Sequence, residues 1–166
     1  MRGEEKMLRV IKSVICVCFT SIVVLIVIPV FSIAEEKNLV TYEKDVKPII
    51  SKGCLSCHGS DSPTIDGFEK DKEGFKQKNK GPRMDTYENL MIFINGKEAG
   101  ALMRRLDDGK NTKDRNPGNM FKNFGKTDSE RAMNLEVFKN WIGGWTLKRK
   151  AEMSEEDLKG IKAKEK

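Results

Sequence analysis

Histidine is almost missing from this sequence, which has one in 166 residues, and cysteine occurs only four times. Two of the cysteines, Cys16 and Cys18, lie in an apolar stretch near the N-terminus, which leaves Cys54 and Cys57 for the rest of the chain. So few cysteines exclude a framework of several disulfides, and no spare cysteine or histidine remains to complete a structural zinc site. We therefore expect the chemistry of the chain to depend on the short stretch that holds the last two cysteines.

Two kinds of pattern are also absent. No segment shows a convincing strand pattern of alternating apolar and polar residues, and there is no internal repeat. The 31 Lys and Arg residues are interleaved with 25 Asp and Glu residues, so no long run of positive charge is available to bind nucleic acid. The absence of strand patterns favours an all-α fold, and a mildly basic surface would suit docking on an acidic patch of a partner protein.

Residues 1–34 have the three parts of a secretory signal peptide. Four cations precede an almost wholly apolar stretch at residues 14–31, and Ser32-Ile33-Ala34 supplies the small residues that signal peptidase needs. Cleavage after Ala34 leaves 27 basic and 23 acidic residues, a net charge of +4, and predicts export to the periplasm. In the alternative, residues 14–31 stay as an inner-membrane anchor with the rest of the chain facing the periplasm, because 18 apolar residues are close to the minimum for a span.

Cys54-Leu55-Ser56-Cys57-His58 has the form C-x-x-C-H, the attachment signature of c-type haem. Two thiols three residues apart lie on one turn, so both can form thioether bonds with the vinyl groups of a single porphyrin. The imidazole of His58 is then held beneath the iron. The motif predicts one haem c, covalently attached through Cys54 and Cys57, with His58 as an iron ligand.

Apolar residues at helical spacing predict four main helices around this motif. They are expected at Thr41–Gly53, capped by Thr41 and disturbed by Pro48; at Tyr87 to Gly96, capped by Asp85 or Thr86; at Glu98–Leu106; and from the Thr127 capping box to Gly143, with an inner stripe of Met133, Leu135, Phe138, Trp141 and Ile142.

The domain organisation follows from the same patterns. We divide the chain into the signal peptide at 1–34, one domain at 35–147, and a charged C-terminal tail at 148–166 that is either a short helix or loose. Residues 60–80 are predicted to be a polar, exposed loop with at most one short helical turn, held down by Phe68 and Phe75.

Low-spin haem iron needs a second axial ligand, and without another histidine a methionine sulfur is the next standard choice. Of the six methionines after the signal peptide, three lie in helical apolar patterns, where methionine more often fills the core, and one lies in the tail. Met84 and Met120 instead follow Gly/Pro turns in irregular segments. We expect Met120, in the turn Asn116-Pro117-Gly118-Asn119-Met120-Phe121, with Met84, Met103 or an open or water-bound position as alternatives.

These landmarks resemble those of class I c-type cytochromes: a first helix, the C-x-x-C-H motif, short helices, a Pro-Gly loop that carries the methionine, and a final helix that crosses the first. Asp45–His58, Pro117–Gly125 and Thr127–Trp141 are similar to them in order and spacing, within residues 42–145. The chain looks like the small periplasmic monohaem cytochromes of metal-respiring and electroactive bacteria. The resemblance implies an all-α, cytochrome c-like fold packed around one haem c.

Two features depart from the family pattern. Residues 60–80 are longer than the corresponding segment of a compact class I cytochrome. In the family, a proline soon after the motif often offers its carbonyl oxygen to the ligating imidazole. Here Pro82 is the better counterpart and Pro63 is the nearer in sequence, so the sequence leaves that hydrogen bond unassigned.

The function that this interpretation implies is one-electron transfer, with His/Met-ligated iron cycling between Fe(II) and Fe(III) and no substrate turned over. Redox proteins with acidic docking surfaces are the expected partners. The alternative from a different class is a haem-based sensor or gas-binding protein with an open or weakly held distal site. A dihaem peroxidase would need two attachment motifs, and only one is present.

Overall fold

The computed structural model of the protein describes residues 39–166. The predicted signal peptide and its alternative as an anchor at 14–31 lie outside the described residues. Residues 39–166 belong to one compact unit and are helical, with an isolated bridge between Gly143 and Ile161 as the only β-type pairing in this range. This confirms the prediction of an all-α fold. In the same range, no helix combines the length and apolar character that a bilayer crossing needs.

Short helices make up most of the described chain. The α-helices are α1 (Lys47–Gly53), α2 (Leu55–His58), α3 (Ile65–Lys70), α4 (Lys72–Gln77), α5 (Tyr87–Met91), α6 (Ala101–Leu106), α7 (Asp128–Ile142) and α8 (Glu155–Lys159). A π-helix precedes α1 at Tyr42–Val46, and two 3₁₀-helices lie at Phe121–Phe124 and Lys150–Glu152.

The helix predicted at Thr41–Gly53 is divided just before Pro48. The N–H of Val46 bonds the carbonyl of Thr41 at 3.3 Å, a π-type spacing, and regular α-helix begins only at Lys47. Pro48 thus falls in the first turn of α1, where its missing N–H breaks no helical hydrogen bond. Thr41 occupies the N-cap position without a side-chain cap, and its N–H donates instead to the Asp45 carboxylate at 2.9 Å.

Helix α7 forms the centre of the core and begins at the predicted Thr127 N-cap, although the Glu130 carboxylate accepts the N–H of Lys126 at 2.8 Å and so does not complete the predicted capping box. The Thr127 hydroxyl accepts the N–H of Glu130 at 3.1 Å. The inner stripe is buried except for Met133, which is 61% exposed, so the prediction for Met133 was wrong. Two residues correspond to about 200° around a helix, which puts Met133 on the face opposite Leu135. An aromatic cluster packs on the buried face and includes Tyr42, Tyr87, Phe124, Phe138 and Trp141.

We divided the C-terminal residues from the domain because they are charged, but in the structure they pack into the compact unit. The carbonyl of Lys164 accepts the N–H of Tyr42 at 2.9 Å and the indole N–H of Trp141 at 2.7 Å. The hydroxyl of Tyr87 donates to the carbonyl of Ala163 at 2.8 Å, and Ala163 is buried. Residues 161–165 therefore pack against the π-helix and α7 at one end of the core, although most of their side chains are charged.

The segment 60–80 contains two helices, α3 and α4, where we expected a loop with at most one helical turn. Thr64 caps α3 by accepting the N–H of Gly67, and Asp71 caps α4 by accepting the N–H of Gly74. The rings of Phe68 and Phe75 stack on each other with centroids 6.2 Å apart. Caps and this stacked pair supply the local order that polar composition alone does not predict.

Candidate haem-binding site

The C-x-x-C-H motif lies at the junction of α1 and α2. The N–H groups of Cys57 and His58 both bond the carbonyl of Cys54, at 3.1 and 3.0 Å, so the two thiols and the imidazole share one helical turn. Both cysteines are free thiols and half-buried. Burial, together with the neighbouring Cys57, raises the pKa of the Cys54 thiol to about 11. Before any attachment that thiol is therefore neutral at physiological pH.

One carbonyl oxygen sets the orientation of the imidazole. His58 Nδ1 lies 2.7 Å from the carbonyl oxygen of Pro82, which only accepts hydrogen bonds, so Nδ1 carries the proton and the lone pair of Nε2 is available to a metal. The carbonyl of Pro63 accepts the N–H of Arg83 at 2.8 Å instead. Of the two prolines considered as the counterpart, Pro82 makes the bond. Burial lowers the pKa of His58 and keeps the ring neutral, the form that binds metal.

Gly81 lets the ring and this carbonyl come together. A β-carbon added at Gly81 would overlap the Cε1, Nδ1 and Nε2 atoms of the His58 ring. The N–H of Gly81 bonds the carbonyl of Cys57 at 2.8 Å, and the N–H of Met84 bonds the carbonyl of His58 at 2.9 Å. Residues 81–84 therefore run along the motif and form one wall of the site. The sequence marked Gly81 as part of a turn and contained no signal that it faces the histidine.

The 3₁₀-helix after Met120 packs against the residue that precedes the motif. A β-carbon added at Gly53, the residue before Cys54, would overlap the main-chain oxygen of Asn123. The side-chain amide of Asn123 points to Met120 with Nδ2 3.5 Å from the sulfur. The Met120 turn is also bonded to α6, because the N–H of Met120 donates to the carbonyl of Arg105 at 2.9 Å. Asn123 is a site residue that the sequence analysis missed, since nothing local marks it.

The three methionines considered as ligands lie in different surroundings. Met84 is buried on the wall formed by residues 81–84, beside the carbonyl that orients His58. Met103 is fully buried in α6, and its sulfur accepts the N–H of Thr146 at 3.3 Å. Met120 is only partly buried and lies in the turn next to Gly53.

The donor set fits a covalently attached haem. Two unpaired thiols and one imidazole stand on a single turn, and the Pro82 carbonyl engages Nδ1 of the imidazole, which leaves Nε2 for a metal. Half-buried apolar residues that pack on the core adjoin this turn and the Met120 turn; they include Ile49, Leu55, Met120 and Phe121. A thiol pair, an oriented imidazole and apolar walls are the groups that bind an iron porphyrin.

The fold and this site define a small c-type cytochrome with one haem. The chain belongs to the PccH cytochrome c family, whose family model matches residues 41–165. The structure of the monoheme cytochrome PccH from Geobacter sulfurreducens is 46% identical in sequence and superposes with a TM-score of 0.71, covering 75% of this chain and 98% of that chain. No curated protein matches the chain.

Family membership confirms the resemblance to small monohaem c-type cytochromes and the cytochrome c-like fold. The family also implies one covalently bound haem c, as the motif predicts. In general terms, the chain is a haem-based electron carrier.

Proposed function

We propose that the protein is an exported one-electron carrier, rather than an enzyme, with haem attached through Cys54 and Cys57 and ligated by His58 and Met120. When bound, the haem iron supplies the chemistry by cycling between Fe(II) and Fe(III). The two thioether bonds keep the cofactor from being lost. The carbonyl of Pro82 keeps the imidazole in one tautomer and one orientation, so the His58 side of the site need not rearrange when the iron changes charge.

The observation that carries the choice of Met120 is its position against the residue that precedes the motif. The Met120 turn contacts Gly53 through Asn123, whereas Met84 follows Pro82 on the wall that orients His58. Met103 is fully buried in α6, where its sulfur accepts the N–H of Thr146 at 3.3 Å. These three placements favour Met120 as the second residue that would hold the iron.

Visible spectroscopy of single variants tests this assignment. Oxidised haem with a methionine ligand has a weak absorption band at the red end of the visible spectrum. We expect the wild type to show this band and Met120→Ala to lose it and become high-spin while keeping covalent haem. Met84→Ala and Met103→Ala should keep the band, as should the matched control Met133→Ala, whose side chain is 61% exposed. A low-spin spectrum with the band intact in Met120→Ala would move the ligand to another methionine.

The competing function, a sensor or gas-binding protein, is tested on the same samples. A carrier with both axial positions filled should titrate reversibly between the two redox states and bind carbon monoxide slowly or not at all in the reduced state. Rapid binding of carbon monoxide by the wild type, without a redox couple that returns to its starting spectrum, would favour the sensor.

The proposed location is the periplasm. It depends on the signal-peptide pattern at 1–34, with retention of 14–31 as an inner-membrane anchor as the alternative. Fractionation of cells that express the full chain, followed by N-terminal sequencing, separates the two. We expect a periplasmic protein that begins at Glu35, and an uncleaved protein in the membrane fraction would support the anchor.

A further inference from the structure

Segment 60–80 forms a loop whose two ends are joined at its base. The Lys80 ammonium pairs with the Asp61 carboxylate at 2.6 Å. A few residues further along the chain, the N–H of Arg83 donates to the carbonyl of Pro63 at 2.8 Å. Helices α3 and α4 lie between these contacts. The ends of the segment are therefore held together by contacts that neither helix makes.

This base is bonded to a main-chain oxygen of the C-x-x-C-H motif. Helix α2 ends at His58, so the carbonyl oxygens of its last turn have no donor within the helix. The Ser62 hydroxyl donates to the carbonyl of Cys57 at 2.9 Å, and the N–H of Gly81 donates to the same oxygen at 2.8 Å. One oxygen of the motif therefore joins the start of the segment to its end.

Ser62 makes the buried part of this connection. It is 7% exposed, and Ser62 and Asp107 are the buried polar side chains in the part of the chain that the structure describes. Water therefore competes little for the bond between its hydroxyl and the Cys57 carbonyl. The ion pair between Asp61 and Lys80 is exposed, and a pair of this kind contributes little to stability. Ser62 is thus the side chain of the base whose bond to the motif is shielded from solvent.

The same base positions the carbonyl that orients His58. Pro82 lies between Gly81 and Arg83, and the N–H groups of both neighbours are bonded to the base. Its own carbonyl oxygen lies 2.7 Å from His58 Nδ1. Gly81 lies against the imidazole ring, since a β-carbon added there would overlap it. Movement of this stretch away from the motif would therefore lengthen the bond to His58. The Ser62 hydroxyl opposes that movement through the oxygen that it shares with Gly81.

We infer that Ser62 is a positioning residue for His58: it holds the Pro82 carbonyl against Nδ1 and thereby lowers the reduction potential of the haem iron. A hydrogen bond from Nδ1 to a carbonyl makes the imidazole a stronger electron donor, and a stronger donor stabilises Fe(III). The inference rests on the proposed function, since it takes His58 as an iron ligand, and it adds a residue that tunes this ligand. It also gives segment 60–80 a role, because the two ends of the segment form the support.

Removal of one hydroxyl, followed by redox titration of the haem-loaded protein, tests the inference. Ser62→Ala loses the bond to the Cys57 carbonyl, whereas Ser62→Thr keeps a hydroxyl at the same position. Thr64→Ala is the matched control, because it removes another hydroxyl of the same segment, one that accepts the N–H of Gly67 in α3. None of these changes alters the charge of the protein, so a shift in potential cannot come from a lost or added charge.

The reduction potential should rise in Ser62→Ala. At a fixed potential we expect the ratio of reduced to oxidised haem to increase about threefold, equal to a rise of about 28 mV, since a tenfold change corresponds to about 59 mV for one electron. Ser62→Thr and Thr64→Ala should change this ratio by less than about 1.5-fold. In NMR spectra of the reduced protein, the His58 Nδ1 proton should move upfield in Ser62→Ala alone, because its hydrogen bond is weaker.

The wild type supplies a second test that does not depend on how well Ser62→Ala holds haem. One movement of the base opens both the bond from His58 Nδ1 to Pro82 and the bond from the Gly81 N–H to Cys57. Exchange of these two protons with solvent should therefore show the same dependence on urea concentration.

Each result decides one proposal. An unchanged potential in Ser62→Ala, or a rise that Thr64→Ala or Ser62→Thr shares, would overturn the role of Ser62. Different urea dependences for the two protons of the wild type would overturn it as well. The proposed function fails separately: a wild-type haem that does not titrate reversibly removes the carrier, whereas reversible titration at one potential in all four proteins removes only the role of Ser62.

Discussion

The α-carbon of Gly53 lies so close to the main-chain oxygen of Asn123 that a side chain at Gly53 would overlap it. This contact joins the residue before the cysteine motif to the 3₁₀-helix behind Met120. It therefore brings the turn that carries the proposed distal ligand next to the haem attachment motif, across 70 residues of sequence.

Gly53→Ala should disturb the site through this contact. The clash is with backbone, which cannot rotate away, so the Met120 turn has to move or α1 has to shift. We expect a loss of about 1–3 kcal/mol in the free energy of unfolding. The methionine band in the oxidised spectrum should also weaken. Urea titration, monitored by haem absorbance and circular dichroism, measures the free energy of unfolding. Visible spectroscopy of the oxidised protein measures the methionine band.

Gly67→Ala is the matched control for this substitution. Gly67 lies in α3, and an added β-carbon there would meet its nearest neighbour, Pro63 Cβ, at 3.4 Å. Alanine in a helix without a clash should stabilise the protein by about 0.5–1 kcal/mol and leave the spectrum unchanged. If Gly53→Ala behaved like Gly67→Ala, the contact with Asn123 would not constrain the site.

Asp107 lies at the start of the segment that leads to Met120 and accepts hydrogen bonds from two donors there. It is 2% exposed, and its carboxylate accepts the N–H of Gly109 at 2.9 Å and the indole N–H of Trp145 at 3.3 Å. Asp107→Ala leaves both donors without a partner and should cost about 1–3 kcal/mol of unfolding free energy. Asp107→Asn keeps one acceptor oxygen and should cost less. Chemical denaturation of the wild type, Asp107→Ala and Asp107→Asn gives their order of stability. Equal stability of the two variants would contradict the role of Asp107 as a hydrogen-bond acceptor.

The last residues should be needed for stability even though they are charged. Deleting residues 161–166 removes the carbonyl acceptors of Tyr42, Tyr87 and Trp141 and the buried Ala163. The deletion also breaks the bonds from the Glu43 N–H to the Glu165 carbonyl and from the Lys162 N–H to the Ile142 carbonyl. These five lost hydrogen bonds at about 1 kcal/mol each predict a loss of about 5 kcal/mol. Thermal and urea unfolding measure it. Deletion of Lys166 alone serves as the control and should change little, whereas equal stability of both truncations would mean that the segment is dispensable.

Asp157 makes part of the stability depend on pH. The Lys148 ammonium at 2.8 Å, followed by hydrogen bonds from Ser154, lowers the pKa of Asp157 from an ordinary 3.8 to about 2. A carboxyl whose pKa is lowered by folding stabilises the protein above its unfolded value and loses that contribution as pH falls through the folded value. Asp157→Asn should therefore be less stable than the wild type at neutral pH, and the difference should shrink below pH 3.8 and vanish only below about pH 2.

Urea midpoints at several pH values test this dependence. Glu156→Gln removes a charge from the same turn of α8 without breaking the hydrogen bonds to Ser154, and its difference from the wild type should vary less with pH. A stability difference for Asp157→Asn that stays constant down to pH 2 would contradict the assignment.

Features that depend on neighbouring residues were predictable from the sequence. The C-x-x-C-H motif, the Thr127 cap of α7 and the helical class of the fold are carried by residues a few positions apart, whose geometry the backbone largely dictates. Periodicity also identified most of the inner face of α7. It failed at Met133, because residue type indicates that a side chain suits the core and does not say that the core reaches that face.

By itself, then, the sequence determined the haem attachment motif, the Thr127 cap and the all-α class, because these depend on contacts within a turn or a helix. The tertiary structure alone decided that Pro82 and not Pro63 orients His58, that Gly53 meets Asn123, and that the charged C-terminal residues complete the core. Those contacts join residues 24 to more than 100 positions apart, and each depends on how separate helices pack. No local pattern of hydrophobicity or charge predicts that packing.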